Sequence, residues 1–233
     1  KALELGARYA VVNCSSKVGT DCAAGVLDAD VAARLVLVED TLKTLQELAR
    51  WHRSMTFVDG KPLTVVALTG TNGKTTTTHV IKNVLENSGV KCGVIGTLGT
   101  FYGDKFKEAT LTTPDPLELH KTLSEMYRDG VKTAIMEVSA HAVFFDKIKG
   151  LKFAAAVFTN FSQDHLDFFD DMESYKRAKL RFFKENECGF IVTNSDDEVG
   201  REIAEIKSDV ITYGINNPAD VFAIDVSCDE NGS

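Results

Sequence analysis

From Leu63 onward, short apolar runs rich in β-branched residues alternate with longer stretches of helical periodicity, and no other property of the chain constrains its fold as much. Residues 64–69, 90–96, 133–138, 154–159, 190–193 and 210–213 are apolar runs that read as strands. Helices are predicted near 74–88, 116–128, 174–186 and 197–206, with Gly89 and Gly130 placed to end the first two. Such alternation predicts an α/β fold with a mostly parallel, doubly wound sheet. Residues 1–53 form a smaller α/β pattern: a helix at 2–5, strands at 9–13 and 34–38 separated by a small-residue loop, then an amphipathic helix carrying Leu42, Leu45, Leu48 and Ala49 on one face. Asp59-Gly60 and Lys61-Pro62 are turn formers. They divide the chain into a partial N-terminal domain, 1–60, and a central domain, 61–233. The opening residues read as the middle of a helix and SCDENGS as a cut, so truncation is expected at both ends.

Composition narrows the function classes. No apolar run approaches the roughly 20 residues that span a bilayer, so a membrane protein is not expected. A formal charge of -8 argues against a general nucleic-acid binder, which needs clustered Lys and Arg. The 5 cysteines are scattered, with no CxxC pair, and indicate neither a disulfide framework nor a zinc site. A reducing, cytoplasmic setting and a monomer are expected.

The loop TGTNGKTT, residues 69–76, follows the first strand of the central domain and opens its first helix. Gly70 and Gly73 permit a tight turn with inward N–H groups, and a helix N-terminus favours an anion. ATP phosphates are therefore expected over Gly70, Thr71, Asn72, Gly73, Lys74, Thr75 and Thr76. Lys74 would offset phosphate charge, and the hydroxyl of Thr75 or Thr76 would bind Mg²⁺. The spacing is shorter than the GxxxxGK[ST] pattern, which would need glycine where Leu68 stands.

In an open parallel sheet, ligands bind beyond the carboxyl ends of strands, so polar residues there are candidates. Glu137 ends one apolar run, and inside a buried strand its charge requires a partner: Mg²⁺, or a structural Lys or Arg. Asp164, His165 and Asp167 follow another strand and offer an imidazole ligand, a structural histidine or solvated acids. On the helix YKRAKLRFF, Tyr175, Ala178, Lys179, Phe182 and Phe183 share a face, whereas Lys176, Arg177 and Arg181 lie off it as solvent charges. An inward Lys179 should have a lowered pKa and an accessible neutral amine, unless its stem alone is buried and the charge reaches the rim.

Together, TGTNGKTTTT, LTTPDPLE, MEVSAH, TNFSQDHLDF and YKRAKLRFF, in this order, resemble the motifs of the Mur ligases over about residues 63–198. The pattern is most similar to the branch that adds the third residue of the peptidoglycan stem, the UDP-N-acetylmuramoyl-tripeptide synthetases. The resemblance implies an ATP-dependent amide-forming ligase that acts through an acyl phosphate. Lys74 would bind ATP phosphates, Thr75 and Glu137 would serve Mg²⁺, His165 would bind a second metal, and Lys179 would be the lysine that becomes a carbamate and helps hold metal. Thr112, Thr113 and Ser139 would contact the UDP-muramyl dipeptide, with diaminopimelate or lysine as the incoming amino acid. A third, C-terminal domain, supplying the amino-acid pocket, would be needed for activity. Three positions depart from the common pattern: Ala140 where a second serine is usual, and Phe145 and Lys147 where some members have Gln and Arg. Segment 38–53 also resembles the sister ligase that adds D-Ala-D-Ala, although TTPDP and EVSAH favour the tripeptide branch. That sister, a folylpolyglutamate-type ligase and a non-catalytic nucleotide-binding module are the alternative functions.

Overall fold

The computed structural model describes residues 1–55, 63–164 and 168–226. It resolves two compact units, Lys1–His52 and Arg53–Ser233. In the first, strands β1 (Ala10–Asn13) and β2 (Leu35–Val38) pair in parallel, joined through helices α1 (Lys17–Ala23) and α2 (Ala29–Ala32) and followed by α3 (Thr41–Ser54). Residues 2–5 form turns rather than the expected helix. The small-residue segment holds α1 and α2 instead of a plain loop, because Ser16 and Asp28 accept hydrogen bonds from the free N–H groups of each first turn. The leucine face of α3 is present but not covered: Leu42, Leu45 and Leu48 are exposed, and the helix buries Gln46 and Ala49.

The second unit is a nine-stranded sheet. Its parallel strands are β3 (Thr64–Thr69), β4 (Cys92–Gly96), β7 (Thr133–Glu137), β8 (Lys152–Phe158), β9 (Glu187–Asn194), β10 (Val210–Gly214) and β11 (Val221–Phe222). Strands β5 (Gly99–Tyr102) and β6 (Lys105–Lys107) form an antiparallel hairpin on the β4 edge. The hairpin escaped the reading of apolar runs because β6 is a short, exposed Lys-Phe-Lys. Helices α4 (Lys74–Asn87), α5 (Pro116–Arg128), α6 (Ala140–Phe144), α7 (Met172–Glu185) and α8 (Glu198–Ala204) connect the strands.

The order β11-β10-β9-β8-β3-β7-β4-β5-β6 puts β3 at the centre, with β7 on one side and β8 on the other. Its runs are apolar on both faces because both are covered. Ile81 and Leu85 of α4 pack with Leu68, Ile135 and Val157 on one side. On the other, Leu119, Leu123 and Met126 of α5 and Phe182 and Phe183 of α7 pack with Val65, Ala67 and Met136. Close approach of α5 needs Gly93 on β4, where a Cβ would lie 2.7 Å from the Met126 sulfur. The chain reverses its direction of winding around β3, so the crevice of this sheet opens at the carboxyl ends of β3, β7 and β8.

Candidate nucleotide and metal site

The loop after β3 is shaped by backbone geometry. Gly70 (φ +139°) and Gly73 (φ +81°) occupy the region that side chains disfavour. At Gly70 an added Cβ would fall 2.0 Å from Thr159 Oγ1. The segment after β8 grips the loop: Thr71 N donates to Asn160 O (2.8 Å), Asn72 N to Asn160 Oδ1 (2.9 Å), and Thr159 Oγ1 to Asn72 O (2.7 Å). Ser162 N donates to Thr71 Oγ1 (3.0 Å), and the Thr71 hydroxyl also meets Tyr175 Oη at 3.3 Å. Asp197, the N-cap of α8, in turn accepts from Phe161 N.

Lys74 begins α4 and its Nζ donates to Gly70 O and Thr71 O at 2.9 and 2.8 Å, folding back over its own loop. Burial lowers its pKa, against the opposing pull of Glu137 and Asp164. Thr75 Oγ1 donates to Glu137 Oε1 (2.9 Å), whereas Thr76 is exposed. Of the two hydroxyls expected for a metal, the first is thus the one brought to the carboxylate. Glu137 is 1% exposed. Both its oxygens are also held by Thr97, which follows β4: Thr97 N donates to Oε1 (3.1 Å) and Thr97 Oγ1 to Oε2 (3.0 Å). A Cβ at Gly96 would meet Glu137 Oε1 at 2.2 Å, so glycine there admits the carboxylate. Hydroxyl and carboxylate oxygens are the donors a hard cation takes, and the donor set at Thr75 and Glu137 fits Mg²⁺. Of the remaining expected ligands, His165 and its neighbour Asp167 lie outside the described residues.

Lys179 reaches the site from α7. Asp171 and Ser174 cap the helix reciprocally, and Tyr175, Lys179, Phe182 and Phe183 face inward. The side chain of Lys179 is 1% exposed, with Nζ 4.6 Å from the centre of the Tyr175 ring. Burial, reinforced by the positive charge of Lys74 and opposed by Asp164, brings its pKa down to about 7. The ammonium is not carried out to solvent. The outer face differs from expectation in the other direction: Lys176 pairs with Glu202 of α8 (2.6 Å), and Arg181 with Asp146 (2.5 Å) and Glu185 (2.7 Å). These cations tether α7 because charged groups of neighbouring elements face them.

A cavity of about 460 Å³ joins these groups. Gly70, Lys74 and Lys179 line it, as do Thr112, Thr113 and Ser139. Thr113 Oγ1 donates to Glu137 O (2.9 Å) and accepts from Ser139 N (3.0 Å), while Ser139 Oγ caps α6 by accepting from Ala142 N. The departures from the common pattern lie here too: Phe145 and Lys147 line the cavity, and Lys147 pairs with Asp115 at 2.8 Å. Thr97, His141 and Tyr175 also reach it and were missed from sequence. The strand-end rule that selected Glu137 also applies to Thr97. No periodicity singles out Tyr175 as more than core.

A glycine loop at the switch point of a doubly wound sheet, followed by a helix-opening lysine, defines a nucleotide-loop α/β protein. Residues 68–233 match the Mur ligase middle domain, and the chain belongs to the Mur ligase family. It is 41% identical over 172 residues to UDP-N-acetylmuramoyl-L-alanyl-D-glutamate--2,6-diaminopimelate ligase 1 of Clostridium acetobutylicum, covering 73% of this chain and 35% of that protein. The corresponding ligase of Bacillus cereus is 38% identical over 215 residues, covering 88% of this chain and 43% of that protein. The chain therefore spans less than half the length of these relatives. A solved UDP-N-acetylmuramoyl-L-alanyl-D-glutamate--2,6-diaminopimelate ligase superposes with a TM-score of 0.75 at 25% identity, over 95% of this chain and 49% of the other. MurF of Thermotoga maritima, solved with ADP, shares the fold at TM-score 0.58 and 23% identity, over 93% of this chain and 43% of that one.

Proposed function

We propose that this chain forms the ATP-binding part of a ligase that adds the third amino acid to UDP-MurNAc-L-Ala-D-Glu in peptidoglycan precursor synthesis. The reading rests on the meeting of Thr75 and Glu137 at 2.9 Å, with Glu137 bonded to Thr97, which lines a cavity together with Lys74 and Lys179. The Gly70–Thr76 loop holds ATP, its N–H groups and Lys74 facing the phosphates. To do so, Lys74 exchanges its bonds to Gly70 O and Thr71 O for phosphate oxygens. Mg²⁺, when bound by Thr75 and Glu137, supplies positive charge that eases phosphoryl transfer.

The terminal carboxylate of the dipeptide attacks the γ-phosphorus of ATP, releasing ADP and leaving an acyl phosphate. The amine of the incoming residue then displaces phosphate and forms the amide. No protein nucleophile is needed. The chain's part is to position and to offset charge. Thr112, Thr113 and Ser139, which line the same cavity as the loop lysine, orient the muramyl substrate. Lys179, whose lowered pKa of about 7 leaves a large neutral fraction near pH 7, would add CO₂ through its free amine and release a proton, giving an anionic carbamate with oxygen donors, and His165 would complete the metal-binding set. The names of the relatives favour diaminopimelate as the added residue. The protein acts as a cytoplasmic monomer.

The test is ADP release by the protein expressed from its complete reading frame, supplied with UDP-MurNAc-L-Ala-D-Glu and one amine at a time. Release that requires the dipeptide and diaminopimelate supports the proposal. Release only with a tripeptide and D-Ala-D-Ala, or with a folate, assigns one of the other ligase types, and Mg-ATP binding without release under any substrate leaves a nucleotide-binding module.

A further inference from the structure

Glu137 is the last residue of a buried strand, and its carboxylate oxygens accept hydrogen bonds from hydroxyl and amide groups of Thr75 and Thr97. Most of those contacts come from one residue. Thr97 donates its N–H to Oε1 and its hydroxyl to Oε2, fixing the plane of the carboxylate. The same hydroxyl lies 3.1 Å from Thr112 Oγ1, which lines the cavity with it. Thr75, Glu137, Thr97 and Thr112 therefore form a continuous chain of hydrogen bonds from the phosphate loop to the segment 111–114.

We propose that Thr97 is a positioning residue, which orients the Glu137 carboxylate for a divalent cation and reports to it the position of the Thr112 segment. The inference rests on the proposed Mg-nucleotide function and adds a residue to it. A hydroxyl hydrogen can be given to only one acceptor at a time. When Thr97 Oγ1 donates to Glu137, it can accept from Thr112; a ligand that draws the Thr112 hydroxyl away removes that contact and alters the carboxylate's hydrogen bonding. Partners of metal-binding carboxylates commonly alter affinity by about 10–100-fold when removed.

The experiment follows ADP binding to this chain by calorimetry at increasing free Mg²⁺, for the wild type, Thr97→Val, Thr97→Ser and Thr112→Val. Thr97→Val keeps the backbone N–H and loses the hydroxyl. It should raise the Mg²⁺ needed for half-saturation roughly tenfold or more, with Mg²⁺-free ADP binding unchanged. Thr97→Ser should restore the wild-type requirement, and Thr112→Val should raise it by a smaller factor, about twofold to threefold. An unchanged requirement in Thr97→Val, in a wild type that binds Mg-ADP, overturns this inference and leaves the proposed function standing. A wild type that binds no Mg-nucleotide overturns both. If Thr97→Val melts before titration, Thr112→Val decides: an unshifted Mg²⁺ requirement there counts against the relay.

Discussion

The two segments that leave neighbouring central strands, the loop after β3 and the stretch from Glu137 to Lys147 after β7, wall the same cavity but are built differently. The first is a backbone structure. Glycines in left-handed conformations and N–H groups paired with Asn160 set its path, and side chains follow. The second is held by side chains: Thr113 bridges Glu137 O and Ser139, and Lys147 reaches Asp115. A backbone site tolerates little change at its glycines, whereas a side-chain site can exchange Gln for Phe145 or Arg for Lys147 and keep its frame.

The largest expected effect falls on the backbone side. Gly70→Ala forces a Cβ to 2.0 Å from Thr159 Oγ1 at φ +139°. It should abolish Mg-nucleotide binding in calorimetry and lower stability by roughly 2–4 kcal/mol in denaturant melts. A stable variant that still binds would mean that the loop is not fixed by its backbone.

The next effect separates the buried lysine from both walls. With its pKa lowered to about 7, Lys179 holds fewer protons in the folded than in the unfolded chain between about pH 7 and its ordinary value of 10.5. Stability should therefore rise with pH across that window as the burial penalty is relieved, and be flat with respect to this group below it. In CO₂-free buffer, Lys179→Met should be more stable than wild type near pH 7, by a margin of a few kcal/mol that narrows toward pH 10. A margin independent of pH would indicate that the ammonium is not desolvated.

On the side-chain wall, Thr113→Val leaves Glu137 O and Ser139 N without their partner and should cost about 1–3 kcal/mol in the same melts. Lys147→Ala should be smallest, at or below about 1 kcal/mol, because Asp115 is largely exposed and its pairing is screened. Equal losses at Gly70 and Lys147 would erase the contrast between the two walls.

That contrast also explains what could be read from sequence. The strand 64–69 was legible because burial on both sheet faces leaves an apolar run, the strand 210–213 because its β-branched and aromatic residues mark it though it is only partly buried, and the helix 116–128 because it starts at Pro. The loop was legible because φ > 0 demands glycine. The inward face of α7 followed from its spacing, and Lys179 is buried there. The β5–β6 hairpin was not legible, since β5 is only four residues, two of them Gly and Thr, and the exposed edge strand β6 needs no apolar run. Nor was the pairing of Arg181 with Asp146, because partners distant in sequence are set by how α6 and α7 pack. Leu42, Leu45 and Leu48 show the converse: a clear stripe states that a face is apolar, and does not say what covers it.

The central claim is that residues 69–76 hold a nucleotide through Lys74. Titration of Mg-ATP into the wild type, Lys74→Ala and Lys176→Ala tests it most directly. The expected result is saturable heat for the wild type and for Lys176→Ala, whose lysine faces Glu202, and none for Lys74→Ala. No heat from the wild type at millimolar nucleotide, or equal losses in the two variants, would contradict it.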